Sequence, residues 1–349
     1  MTHTAAIGLR TGRRWLPWAG ALVGVAALAW VLRGFDLDRF VATLVGADPR
    51  FLALVPIAVM GEQLVRAWKW RQLLRPLRPG IGVWYLFGAI MAGYLLAILV
   101  PLGFGTVARS WLVARREDLE LTAVLATVAL DRLTDGVVFA FLVPAALLLV
   151  ALPDPTGGIR TGLIWGAVGS VVLFGLLLLA LAAYRRGALH PDGWVVRLAE
   201  RLPARAAGPV RRASASFANG IVWPREHWRG VGVVLASVLI KLLAATHFLW
   251  AGLALGVTLV PGQYLFLMVF LGFLVILGHF ARVTGGLVIG AVFALGLFGV
   301  REEQALAMVL VVQAAGLLSV AAIGALSLWR QGVALADVRA TGGAHAGGG

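Results

Sequence analysis

Stretches of about twenty apolar residues recur from one end of this chain to the other, and they constrain its fold more than any motif does. A run of that length crosses about 30 Å of hydrocarbon as a helix. Backbone amides in lipid have no water to bond, and no stretch alternates polar and apolar residues as a barrel strand would, so the runs are helices. Composition agrees: 60% of the 349 residues are hydrophobic and 13% are charged. The mean hydropathy is +0.92. The predicted fold is an all-α, polytopic membrane helix bundle, with about eight long transmembrane helices plus two short Gly-broken or re-entrant segments.

A formal net charge of +14 would suit a nucleic-acid binder. The arginines, however, cluster in loops between apolar runs, which is the positive-inside pattern of membrane proteins and excludes that class. Lys69 and Lys241 are the only lysines. Cysteine is absent, which excludes disulfides, thiolate nucleophiles and zinc–thiolate sites. The six histidines show no metal-ligand spacing. No metal or cofactor is expected.

Arg10, Arg13 and Arg14 precede an apolar stretch, Trp15 to Leu32, that is too long for a signal peptide. It reads as a retained first helix. The expected long spans are 15–33, 51–67, 84–102, 119–152, 162–184, 231–256, 263–281 and 304–328, with short segments at 104–114 and 284–298. Arg66, Lys69, Arg71, Arg75 and Arg78 read as a basic cytoplasmic loop. The largest polar region is 185–229, where Arg197, Arg201 and Arg205 repeat at helical spacing beside Trp194, Val195, Leu198 and Leu202. That pattern fits a basic amphipathic helix lying on an anionic leaflet, or else a solvated connector. The same loop could dock a cytoplasmic or membrane enzyme partner. The organisation expected is one membrane domain, 1–340, with halves at 15–184 and 230–328 around the 185–229 loop, and a disordered tail, 341–349. Both termini fall on the cytoplasmic side.

Both halves run in the same order: long helix, Gly-rich break, short segment, long helix. Loop charges make them start from opposite sides, as in inverted-topology repeats. Two unrelated Gly-containing hairpins are the alternative. One break is Pro101-Leu102-Gly103-Phe104-Gly105, leading to Thr106 and Arg109; the other is Arg282-Val283-Thr284-Gly285-Gly286. Free backbone N–H groups and the helix dipole at the start of a half-helix favour an anion such as a phosphate. Gly103, Gly105, Thr106, Arg109, Arg282, Thr284, Gly285 and Gly286 are therefore candidate contacts for a lipid headgroup, together with Lys241, deep in its span. Arg109 could instead pair with Asp131 or Asp135, and Lys241 could snorkel. Asp131 and Asp135 share a helical face, with Arg132 one step round, as an intramembrane charge network. Glu62 and Arg66 read as an ordinary i,i+4 pair, and His247 as a cross-helix hydrogen bonder.

These motifs resemble the transmembrane region of lysylphosphatidylglycerol synthase/flippase proteins. That family's pattern is similar to P-x-x-x-G-E-x-x-R followed by E-R-x-x-D. Here it reads Pro101 to Arg109, then Asp131-Arg132-Leu133-Thr134-Asp135. A second pattern, P-G-G-L-G-x-x-E, resembles Thr284-Gly285-Gly286-Leu287, followed by Gly299-Val300-Arg301-Glu302 and Ala305-Leu306-Ala307. An upstream R-x-x-x-W element resembles Arg66 to Trp70, with Leu73 and Leu74. Thr106 and Ala291 stand where the family has glutamates, Thr284 where it has proline, and Gln313 at a polar or basic position of the last helix. The resemblance implies a multi-pass protein of a bacterial-type cell inner membrane. It would act on membrane lipids as a flippase-like transporter of an anionic phospholipid or glycolipid headgroup. No aminoacyl-transferase region is visible, so synthase activity is not expected and no enzyme function is assigned. Two other readings are a non-transporting accessory subunit for a lipid-modifying enzyme, and an integral-membrane transferase using a polyprenyl-phosphate donor with Asp131 and Asp135.

Overall fold

The computed structural model describes residues 36–99, 104–150, 157–190, 192–281 and 286–331. The expected first span, 15–33, and the tail, 341–349, lie outside the described residues. Among those residues all regular structure is helical: α1 (Leu37–Val45), α2 (Pro49–Leu74), α3 (Val83–Leu99), α4 (Phe104–Glu117), α5 (Leu121–Leu149), α6 (Gly158–Leu189), α7 (Trp194–Glu200), α8 (Ala204–Gly220), α9 (His227–Ala254), α10 (Pro261–Ala281), α11 (Gly286–Gly296) and α12 (Glu302–Arg330). The chain is a multi-pass helical membrane protein. Helices α2, α5, α6, α9 and α12 are long and apolar enough to cross a bilayer.

Local chemistry sets several boundaries. Asp48 caps α2 by accepting from the Arg50 amide at 2.8 Å, and Pro49 occupies its first turn, where no donor is lost. Helix α2 does not stop at residue 67, as its basic composition suggests, but continues to Leu74. Arg66 and Lys69 are therefore helix-interior residues and not part of a loop. The basic stretch 197–205 is not one helix either. Pro203 disfavours helix at the residue before it, so α7 ends at Glu200 and α8 begins at Ala204. Arg197 lies in α7 and Arg205 in α8, while Arg201 follows α7 as its C-cap.

The chain from α3 into α4 forms a hairpin whose ends meet on one face. The Tyr85 hydroxyl, near the start of α3, donates to the Leu112 carbonyl near the end of α4 at 2.8 Å. The Arg116 guanidinium lies 4.0 Å from the centre of the Tyr85 ring. Farther in, Gly93 and Gly105 let the two backbones touch. A Cβ on Gly105 would meet the Gly93 carbonyl, and would lie 2.6 Å from the Ala97 Cβ. Helices α10 and α11 form the second hairpin. Phe266 meets Phe298 edge-on at 5.4 Å, and Phe270 lies 6.1 Å from Phe293. This hairpin opens at the other face, where Gly262 packs against the Leu149 carbonyl at the far end of α5.

The packing relations come in matched pairs. Helix α2 packs along α9. The first hairpin touches α2 and α12 through α3, and α5 through α4. The second touches α9 and α5 through α10, and α12 through α11. Helix α2 contacts α5 as α9 contacts α12, and α2 contacts α12 as α9 contacts α5. Two hairpins opening to opposite faces, each gripped by the same set of partners, is the arrangement of an inverted repeat.

Two apolar clusters divide this bundle. One joins Val55 of α2 and Phe139 of α5 to α9 through α12. The other joins Ala67 and Trp70 of α2 and Val128 of α5 to the first hairpin. The charged side chains of α2 and α5 lie between the two clusters. Helix α6 instead turns many of its valines and leucines outward, as a lipid-facing helix does.

Candidate functional site

Helix α2 carries Glu62, Arg66 and Lys69 on a buried face, and α5 presents Asp131 and Asp135 to it. Arg66 donates through Nη1 to Asp135 Oδ2 and through Nη2 to Glu62 Oε1, each at 2.9 Å. Lys69, with no exposed surface, donates from Nζ to Asp135 Oδ1 at 2.6 Å and to the Asp131 main-chain carbonyl at 2.9 Å. Its Nζ also lies 2.9 Å from Asp131 Oδ1. Across the α2–α9 seam, His247 Nε2 sits 3.6 Å from Glu62 Oε2. The Glu62–Arg66 pair is thus formed as read from the sequence, within a larger network.

The two aspartates share a face, but their partners are Arg66 and Lys69, not Arg109 or Arg132. The sequence reading missed this because it ended the helix early. The available signal was the continuing 3.6-residue spacing of Glu62, Arg66 and Lys69 ahead of Trp70, Leu73 and Leu74, all three buried in apolar clusters. Arg132 stays within electrostatic range of Asp131, Asp135 and Arg109 but makes no ion pair among the described residues; it is exposed and lines a groove beside α6. Lys241, half-buried on α9, has its ammonium 5.7 Å from the centre of the Phe139 ring.

Arg109 differs from every other buried cation here. It is 2% exposed, and among the described residues its Nε, Nη1 and Nη2 all lack a hydrogen-bond partner. Its guanidinium stacks 5.1 Å from the centre of the Trp70 ring. Trp70 is itself fixed, because its Nε1 donates to Thr127 Oγ1 at 3.0 Å and Thr127 donates onward to the Val124 carbonyl at 2.7 Å. Tyr94, Arg132, Asp131 and Arg66 are the ionisable groups in electrostatic range of Arg109. The indole fixes where the guanidinium sits but satisfies none of its donors. A buried cation in that condition favours an anion, and its planar fork matches two oxygens of a phosphate or carboxylate.

Charge bookkeeping around the network points the same way. The cations are Arg66, Lys69, Arg109, Arg132 and Lys241, and the carboxylates are Glu62, Asp131 and Asp135. The carboxylates are ion-paired directly to Arg66 and Lys69, and the five cations outnumber the three carboxylates by two, so Arg109, Arg132 and Lys241 carry a net positive excess without an ion pair of their own among the described residues. Among the described residues, no group of three or more His, Cys, Asp or Glu could hold a metal ion.

The other candidates fall in different places. Gly105 serves the close approach of α3 and α4, and Thr106 is exposed, its carbonyl accepting from Ser110 Oγ at 2.8 Å. Gly286 opens α11. Gly103, Arg282, Thr284 and Gly285 lie outside the described residues. Of the positions where the resembled family has glutamate or a polar group, Ala291 is fully buried in apolar packing and Gln313 is exposed.

Comparison with known proteins places this architecture. The sequence model of the family described as "Lysylphosphatidylglycerol synthase TM region" matches residues 18–324. A curated relative, "Glycosyltransferase AglD" of Haloferax volcanii, is 27% identical over 163 residues, which is 47% of this chain and 26% of the relative. The chain thus matches about a quarter of that relative's length. No solved structure matches.

Proposed function

Because the chain belongs to the lysylphosphatidylglycerol synthase transmembrane-region family, we propose that it moves an anionic phospholipid or glycolipid headgroup across the membrane, with Arg109 as the phosphate contact. The supporting observation is a buried guanidinium with three unpartnered nitrogens, set over Trp70 beside a helical hairpin. The acyl chains stay in lipid while the headgroup passes between the two opposed hairpins. Binding and release of an anion need no nucleophile, so the protein acts as a transporter and not an enzyme. The basic loops support a reading in which the open end of the first hairpin faces the cytoplasm of a bacterial-type inner membrane, with both termini cytoplasmic.

A flux assay in reconstituted vesicles, using fluorescent phosphatidylglycerol and a dithionite quench, tests the reading. A hydrogen-bonded charge contact contributes about 1.5–3 kcal/mol, so Arg109→Gln should slow flux by about ten- to a hundredfold. Wild-type flux in a folded Arg109→Gln protein would defeat the assignment. A second reading is a membrane module that supports a lipid-modifying enzyme. It draws on the absent glutamates at Thr106 and Ala291 and on the archaeal relative's name. It expects no flux in the wild type, and a partner captured through 185–229 that is lost when this loop is replaced.

A further inference from the structure

Arg132 opens a second, separate feature. A groove of about 800 Å³ runs along the outside of the bundle between α5, α6, α7 and α8. Its floor on α5 is Ala129, Arg132 and Leu133, one face of one helix. One wall is α6 from Phe174 to Tyr184, about 15 Å of helix at 1.5 Å per residue. Trp194 of α7 and Phe217 of α8 line its basic-face end with Tyr184. The three rings hold one another edge-on, Tyr184 lying 6.3 Å from Trp194 and 5.6 Å from Phe217. At the other end Phe174 packs over Gly136, where any Cβ would collide with its ring.

The groove is apolar except at one point. Among the described residues that line it, Arg132 is the only charged one. The neighbouring carboxylates, Asp131 and Asp135, are taken by Lys69 and Arg66. Among the described residues no ion pair engages Arg132. It lies eleven residues into α5, about 16 Å of helix from the start at Leu121. An exposed guanidinium at that depth, with Asp131 and Asp135 in electrostatic range but each already ion-paired elsewhere, is expensive in hydrocarbon and favours an anion from the lipid side. The aromatic cluster stands where a headgroup boundary would lie, next to Arg185 and Arg186. Small side chains, Ala129, Ala180 and Ala183, leave the width for an acyl chain. The volume falls within the range of about 300–1,000 Å³ typical of ligand sites.

We propose that this groove is a lateral docking site for one anionic membrane lipid, with an acyl chain along α6 and the phosphate drawn inward to Arg132. The ligand class is a phospholipid with a net negative headgroup. A zwitterionic lipid fills the same apolar space but carries its own cation against Arg132. The site is distinct from the Arg109 contact on α4 and goes beyond the transport reading.

The test uses the full chain in phosphatidylcholine vesicles, doped with phosphatidylglycerol bearing a photoactivatable diazirine on its acyl chain. Labelled residues are mapped by mass spectrometry, and a matched phosphatidylcholine probe runs in parallel. Labelling at Leu177 and Phe217 should be stronger with the phosphatidylglycerol probe. Arg132→Gln should lower it by about fivefold, the factor expected for one cation near an anionic lipid. Arg132→Lys should retain most of it, and Ala183→Trp should block it by filling the groove with the charge intact. Arg109→Gln, which disables the transport contact, should still leave the phosphatidylglycerol probe labelling more strongly than the phosphatidylcholine probe, so the two assignments fail separately. Equal labelling by the two probes, or wild-type labelling in folded Arg132→Gln, would mean ordinary annular lipid and overturn the proposal. If Arg132→Gln does not reach the vesicles folded, labelling that persists in Ala183→Trp overturns it instead.

Discussion

Replacing Lys69 with methionine tests the buried network most directly. Lys69 is fully buried and touches both aspartates, Asp135 at 2.6 Å and Asp131 at 2.9 Å. The consequences for the two are unequal. Asp135 keeps Arg66 at 2.9 Å. Asp131 has no other ion-pair partner among the described residues, so its charge is stranded. Removing one member of a buried pair costs about 3–5 kcal/mol, because the other is left uncompensated. Lys69→Met should show that loss. Adding Asp131→Asn removes the stranded charge while the Arg66–Asp135 pair persists, so the double variant should lose only about 1–2 kcal/mol, the scale of the missing hydrogen bonds. The double variant then recovers about 2–3 kcal/mol relative to Lys69→Met, and the coupling between the two positions exceeds that by whatever Asp131→Asn costs alone. The assay is tryptophan-fluorescence melting of the purified protein in detergent, with size-exclusion profiles as a check on folding. The double variant should recover more than half of the drop in melting temperature caused by Lys69→Met. If the two single losses simply add, Lys69 and Asp131 are not energetically paired and the network is misassigned.

Two further outcomes separate close packing from polar chemistry. Gly105→Ala should destabilise by about 1–3 kcal/mol, because its Cβ meets the Gly93 backbone. Gly290→Ala should cost less than about 1 kcal/mol, because the obstacle there is the tip of the Leu274 side chain, which can turn aside; equal melting temperatures for the two variants would contradict the hairpin geometry. Trp70→Phe should cost about 1 kcal/mol through the lost bond to Thr127 and should also slow lipid flux, since the Arg109 guanidinium then stacks on a weaker ring; unchanged flux would remove Trp70 from the positioning of Arg109.

Much of the fold was legible because a bilayer is a demanding solvent. The described spans begin and end within a few residues of the apolar runs, apart from α2, which runs on past its C-terminal end, and α6, which is longer at both ends. Helix α3 ends at Leu99 and α4 begins at Phe104, and α10 ends at Ala281 and α11 begins at Gly286; the residues between them, where the sequence reading puts its breaks, lie outside the described residues. Arg109 stood out as a charge inside an apolar segment. Arg66 and Lys69 did not, because a basic run at the end of an apolar stretch normally marks a membrane edge. Their partners lie more than sixty residues away on α5. No local pattern announces that those aspartates will be there.

By itself, the sequence determined that the chain crosses a membrane as helices and which residues carry charge at depth. These follow from the cost of burying unbonded amides and ions in hydrocarbon, a cost every residue meets locally. Only the tertiary structure decided which charges cancel. Pairing is a property of distance between helices. Once α2 and α5 meet, Lys69 and Arg66 take Asp131 and Asp135, and Arg109 is left over Trp70 with its donors unpaired while Arg132 faces the lipid side.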